Sequence, residues 1–117
     1  MSWPVRTAEP GEDLRDAARR LLDSRVRHLP VVERGALVGM LSERDVRRGL
    51  ARLVPDSPGL RVADVMSTEC MTIAPDRPLH AAAHTLIECR IGALPVVLDE
   101  ALVGIVTQRD LLECYAE

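Results

Sequence analysis

The stretch "LPVVERGALVGMLSERD", beginning at Leu29, returns sixty-five residues later as "LPVVLDEALVGIVTQRD", beginning at Leu94. At that offset the match runs on without a gap. Thr7 falls on Thr72, Pro10 on Pro75, Leu14 on Leu79, Ala17 and Ala18 on Ala82 and Ala83, and Leu21 on Leu86. A chain of 117 residues has room for two such units and no more. A half of that size buries little surface alone, so the halves are expected to pack as a pair and not to stack as a solenoid. "RVADV", before the second copy, has no counterpart before the first, so the first repeat reads as lacking a lead-in.

Each copy has the same internal order. A short extended stretch ("PVRTA", then "CMTIA") precedes a helical stripe. Leu14, Ala17, Ala18, Leu21 and Leu22 follow a helical period, as do Leu79, Ala82, Ala83, Leu86 and Ile87. Asp76 and Pro78 suit the start of the second stripe, Asp as cap and Pro in the first turn. Two apolar runs of strand length follow, Leu29–Val32 and Ala36–Leu41 in one copy, Leu94–Leu98 and Ala101–Val106 in the other, joined closely enough for hairpins. A second helix starts after Ser42 or Thr107. The expectation is α/β (α+β): two β-α-β-β-α repeats about a pseudo-two-fold axis, at residues 1–53 and 64–117, with the Pro- and Gly-containing stretch 54–63 as linker. Val31, Val38, Val96 and Val103 are expected to be buried.

Composition narrows the function classes. The formal net charge is -3, which argues against a nucleic-acid partner. No apolar run is long enough to span a bilayer and no signal peptide is evident, so no membrane is expected. Cys70, Cys89 and Cys114 are scattered and odd in number, which suits a reducing cytoplasm. No pattern for nucleophilic, paired-carboxylate or P-loop chemistry is present, so no catalytic residue is expected.

Three features carry binding chemistry. The phrases "SERD" and "TQRD" put a hydroxyl at a strand end and a carboxylate three residues on, Ser42 with Asp45 and Thr107 with Asp110. This is close to a capping box, which needs no ligand. It is also a place where N–H groups and a hydroxyl meet phosphate while a carboxylate takes ribose hydroxyls. One hydroxyl can serve both purposes. Secondly, Arg27 and His28 precede the first Leu-Pro, where the second copy has Gly92 and Ala93. An Arg fork suits phosphate, and Arg44 and Arg109 beside the helix carboxylates can add charge. Thirdly, His80 and His84 share a helix face at a spacing that can hold zinc. No convincing third ligand accompanies them, so they are expected to be exposed and metal-free. Gly39 and Gly104, inside strands, mark close approach by a neighbour or a ligand.

Two copies in this order, with "LPVV", "LVG" and Gly-h-h-Ser/Thr-x-x-Asp, resemble a tandem pair of cystathionine-β-synthase (CBS) domains, a Bateman module. The resemblance covers almost the whole chain. It implies a non-catalytic regulatory module that binds an adenosine-containing ligand in clefts between the repeats and signals to a partner protein. AMP, ADP or ATP is expected ahead of S-adenosylmethionine or NAD, and no cofactor is required. It implies ribose on Asp45 and Asp110, and phosphate near Ser42, Thr107, Arg27 and His28. It further implies an adenine pocket near Thr7 and Thr72 and the strand starts Leu29–Pro30 and Leu94–Pro95. A homodimer is the expected assembly. The alternatives are a metal- or redox-responsive module and a ligand-free scaffold.

Overall fold

The computed structural model describes residues 6–24, 26–55 and 58–116, with backbone alone for Ser24 and 113–116. Pro4 and Val5 of the first opening stretch, Met1–Ser2 and the Cys114 side chain lie outside the described residues. By its contacts the chain divides after Cys70, into one unit containing Arg6–Cys70 and another containing residues from Met71 onward.

The first unit comprises α1 (Leu14–Ser24), β1 (His28–Glu33), β2 (Ala36–Ser42), α2 (Glu43–Ala51) and a single turn, α3 (Val62–Val65). The second comprises α4 (Leu79–Glu88), β3 (Ala93–Leu98), β4 (Ala101–Thr107) and α5 (Gln108–Ala116). Each is a mixed α+β repeat with an antiparallel hairpin between two helices. The hairpins are the same object built twice. His28 faces Ser42 and Ala93 faces Thr107, and both ladders shift register at the same point, after Val31 and after Val96.

The opening stretch is smaller than the strand the sequence suggested. It contributes one parallel bridge per unit, Ala8 to Val31 and Ile73 to Val96. Its backbone still pairs with the hairpin. The Ala8 N–H donates to the Pro30 carbonyl (2.9 Å) and the Val32 N–H to the Ala8 carbonyl (2.8 Å). The Ile73 N–H donates to Pro95 (3.0 Å) and the Val97 N–H to Ile73 (2.9 Å).

The core of the first unit gathers Leu14, Ala17, Leu21, Leu29, Val31, Leu41 and Val62. That of the second gathers Ala82, Leu86, Leu94, Val96, Val106 and Leu111. Val31 and Val96 are buried as expected, whereas Val38 and Val103 are only partly so. The last residue of each helical stripe is also corrected. Leu22 is 78% exposed and Ile87 73%, because the fifth stripe position turns outward, and in α4 the first position, Leu79, is exposed as well. Asp76 does not cap α4. Pro78 occupies the N-cap and makes no side-chain bond there, so the helix begins two residues later than an Asp76 cap with Pro78 in its first turn would give.

The end of the stretch read as linker is docked on the first unit, although Asp56 and Ser57 lie outside the described residues. The Leu14 N–H donates to the Leu60 carbonyl and the Val62 N–H to the Glu12 carbonyl, both at 2.9 Å. Val62 is fully buried and Leu60, Val65 and Met66 pack against the same core. Ser67 then forms an antiparallel bridge with Met40. The close neighbour expected at Gly39 is therefore the Met66–Ser67 backbone and side chain: a methyl group added at Gly39 would lie 2.7 Å from Met66 Sδ.

Candidate functional site

In both units the strand-to-helix junction closes on itself. The Ser42 Oγ accepts from the Asp45 N–H and Asp45 Oδ2 accepts from the Ser42 N–H, each at 3.0 Å. Thr107 Oγ1 accepts from the Asp110 N–H (3.2 Å) and Asp110 Oδ2 from the Thr107 N–H (2.9 Å). These are reciprocal caps, so the capping reading of Ser/Thr-x-x-Asp holds. They do not exhaust the groups. Each hydroxyl accepts here and still has its proton to donate. Asp45 uses one oxygen on the cap and keeps Oδ1 for another donor.

The backbone brings the cationic pair to this junction. The Glu43 N–H donates to the Arg27 carbonyl (2.9 Å), and His28 stands opposite Ser42 in the ladder. Arg27 is exposed and His28 half-buried beside the first turn of α2. Burial pushes the His28 imidazole below its ordinary value of 6.5, and the Arg27 charge pushes the same way, against Asp45 and Glu43. The second unit repeats the backbone link, Gln108 N–H to the Gly92 carbonyl (3.3 Å), but with no cation at Gly92 or Ala93.

The depressed His28 carries a pH prediction. The unfolded chain takes up the proton first, so this contribution to stability is present above the ordinary value and is lost as pH falls through the folded one. Between about pH 8 and 5.5, wild type should lose more melting temperature than His28→Gln. Parallel pH profiles for the two proteins would refute it.

The remaining candidates separate into backbone and surface. Leu29, Pro30, Leu94 and Pro95 are fully buried, so only their backbone can face a ligand, and the Pro30 and Pro95 carbonyls already accept from Ala8 and Ile73. Thr7 is half-buried, with its carbonyl accepting from Arg20 (2.7 Å), and Thr72 is exposed. Arg44 and Arg109 are exposed on the first turns of α2 and α5. His80 and His84 are exposed on α4, and no group of three metal-ligating side chains occurs among the described residues. Cys89 is exposed. Cys70 is half-buried, and burial raises its thiol pKa, which disfavours the reactive thiolate. No helix among the described residues is long and apolar enough to cross a membrane.

Sequence reasoning missed one contact at the repeat's opening segment. Arg20 donates to both carboxylate oxygens of Glu12 (2.6 and 3.1 Å) as well as to Thr7. The pair is eight residues apart, a spacing no local rule singles out.

Comparison with known proteins places this geometry. The family model described as CBS domain matches residues 1–52 and 62–117. CBS domain-containing protein YhcV of Bacillus subtilis is 35% identical over 111 residues, which is 95% of this chain and 79% of that protein. The chain spans 44% or less of several further curated relatives. Among solved structures, the CBS domain pair of protein MJ0100, in complex with 5′-methylthioadenosine and S-adenosyl-L-methionine, superposes with a TM-score of 0.86 at 29% identity, covering 97% of this chain and 93% of that one. CBSX2 in complex with AMP gives 0.83 at 28% identity, covering 96% and 87%. With the family model matched over both repeats, and the repeats themselves folded alike, this chain is a tandem pair of CBS domains and belongs to that family.

Proposed function

We propose that the chain is a non-catalytic sensor that binds a phosphorylated adenosine, of the AMP, ADP or ATP class, and passes its state to a separate protein. The observation that carries this reading is the junction in the first unit. There a helix N-terminus, a hydroxyl with a proton to donate, a carboxylate with an oxygen to spare and the Arg27–His28 pair lie together. A nucleotide needs each of them: ribose hydroxyls on Asp45, phosphate toward Ser42 and Arg27. AMP on CBSX2 supports the same class, and the 5′-methylthioadenosine and S-adenosyl-L-methionine on MJ0100 support its adenosine part. Thr107 and Asp110 repeat this hydroxyl and carboxylate at the helix start, but Gly92 and Ala93 carry no charge, so the second unit favours a less charged adenosine compound. Signalling requires only that ligand bind two conformations unequally. A homodimer is the proposed assembly.

Calorimetric titration with AMP, ADP, ATP, S-adenosylmethionine and NAD tests the reading. Asp45→Ala is expected to weaken AMP roughly 10- to 100-fold, about 1.4–2.8 kcal/mol. Arg27→Ala should weaken AMP far more than adenosine, since it removes a phosphate contact alone. Absence of binding heat with every ligand in the panel at millimolar concentration would refute the reading and favour the ligand-free scaffold.

A further inference from the structure

The two repeats differ most in chemistry where the opening segment meets the first helix. In the first unit that junction is self-neutralised. Glu9, Glu12 and Asp16 stand among Arg15, Arg19 and Arg20, Arg20 forks onto Glu12, and Arg19 lies 3.7 Å from Asp16. Asp13 adds a further carboxylate, accepting from the Arg15 N–H at 2.8 Å. At the same repeat positions the second unit has Ala74, Arg77 and Ala81 for the three acids, and His80, His84 and Thr85 for the three arginines. The capping Asp13 becomes Pro78, which makes no side-chain bond to the helix end.

The consequence is a groove of about 620 Å3, running between Thr72–Ala74 and the outer face of α4. Arg77, His80 and His84 line it, and among the described residues no acidic side chain does. None of the three side chains has a hydrogen-bond or ion-pair partner among the described residues. The repeat has therefore replaced a carboxylate paired with an arginine by an open groove whose titratable lining side chains are all basic, in a chain whose formal net charge is -3.

We propose that this groove is a second ligand site, for a small organic phosphate. Arg77 supplies a planar fork for the phosphoryl oxygens. His80 and His84 lie one turn apart on the same face, and an imidazole retains an N–H donor in either protonation state. The N-terminal end of the α4 dipole adds favourable field to the side chains. The groove exceeds what a bare phosphate fills, and the Ile73 and Ala81 surfaces leave room for the organic part. Thr72, at the groove's edge, is shared with the expected adenine pocket, but Asp110, Thr107, Leu94 and Pro95 do not line it, so the phosphate contacts of Arg77, His80 and His84 do not depend on the adenosine reading.

The experiment is an amide NMR titration at constant ionic strength with glycerol 3-phosphate, inorganic phosphate, sodium chloride and zinc chloride as separate probes. Saturable shifts are expected at residues 72–85 with glycerol 3-phosphate, and weaker binding with inorganic phosphate. Equal affinity for the two would assign the groove to free phosphate and overturn the organic part of the proposal. Arg77→Gln should weaken binding at least about 10-fold. Asp110→Ala should leave it unchanged, which separates this site from the adenosine one. The pair Arg77→Glu with Thr85→Arg rebuilds the first unit's ion pair and should abolish binding in a protein that still melts cooperatively. Non-saturating shifts, the same shifts with chloride, or zinc binding lost in His84→Ala with no phosphate response would each overturn the proposal.

Discussion

Leu14→Ala is expected to destabilise the protein by about 3–5 kcal/mol, and Gly49→Ala is expected to give part of that back. Leu14 opens α1, is fully buried, and has its Cδ2 against the Gly49 backbone of α2. A methyl group added at Gly49 would meet that atom at 2.5 Å and Val65 Cγ1 at 3.0 Å. Gly49→Ala alone therefore overpacks the contact and should cost about 1–3 kcal/mol, despite the better helix propensity of alanine. With Leu14 cut back, the same methyl enters the cavity and the propensity gain remains, up to about 1 kcal/mol. A urea double-mutant cycle measures the coupling. Costs that simply add would mean that Leu14 and Gly49 do not share this contact.

Gly39→Val should cost about 2–3 kcal/mol and act on a segment distant in sequence. The added carbon would lie 2.9 Å from the Ser67 carbonyl oxygen. The Met66 side chain can move aside, but the carbonyl is held by the bridge it forms. To relieve the clash, the Met40 N–H to Ser67 carbonyl bond and its reciprocal, both 2.9 Å, must open. Met66 would then lose its place against the first core, and Val65 and Val62 would be loosened behind it. Hydrogen exchange reads this locally: the Met40 and Ser67 amides should lose protection while the Leu29–Leu41 ladder keeps its own. Unchanged protection at Ser67 would show that the segment does not rest on β2.

The pH and ligand experiments address different atoms from these two. They act at the α2 junction, whose residues were all legible beforehand. Ser42, Asp45, Arg27 and His28 are near neighbours in the chain or in the ladder, and local pairing alone brings them together. The capping and ligand readings of the same residues were also legible, since both use the N–H groups at a helix start. The Arg20–Glu12 fork and the open groove at α4 were not. They depend on how the opening segment lies across the helix, and side chains eight residues apart meet only once that crossing is made.

The sequence by itself determined the repeat, the helical stripes, the hairpins and the two Ser/Thr-x-x-Asp junctions. Each follows from periodicity or from contacts within a few residues, where backbone geometry leaves few choices. The tertiary structure alone decided that Leu22 and Ile87 face outward, that Val38 and Val103 stop short of full burial, and that residues 60–67 dock on the first unit. An apolar pattern states that a face needs covering, not which surface covers it. For Leu60, Val62, Val65 and Met66 the choice rested on the Met40 backbone groups that pair with Ser67 and a missing side chain at Gly39, far away in the chain and brought near only by the fold.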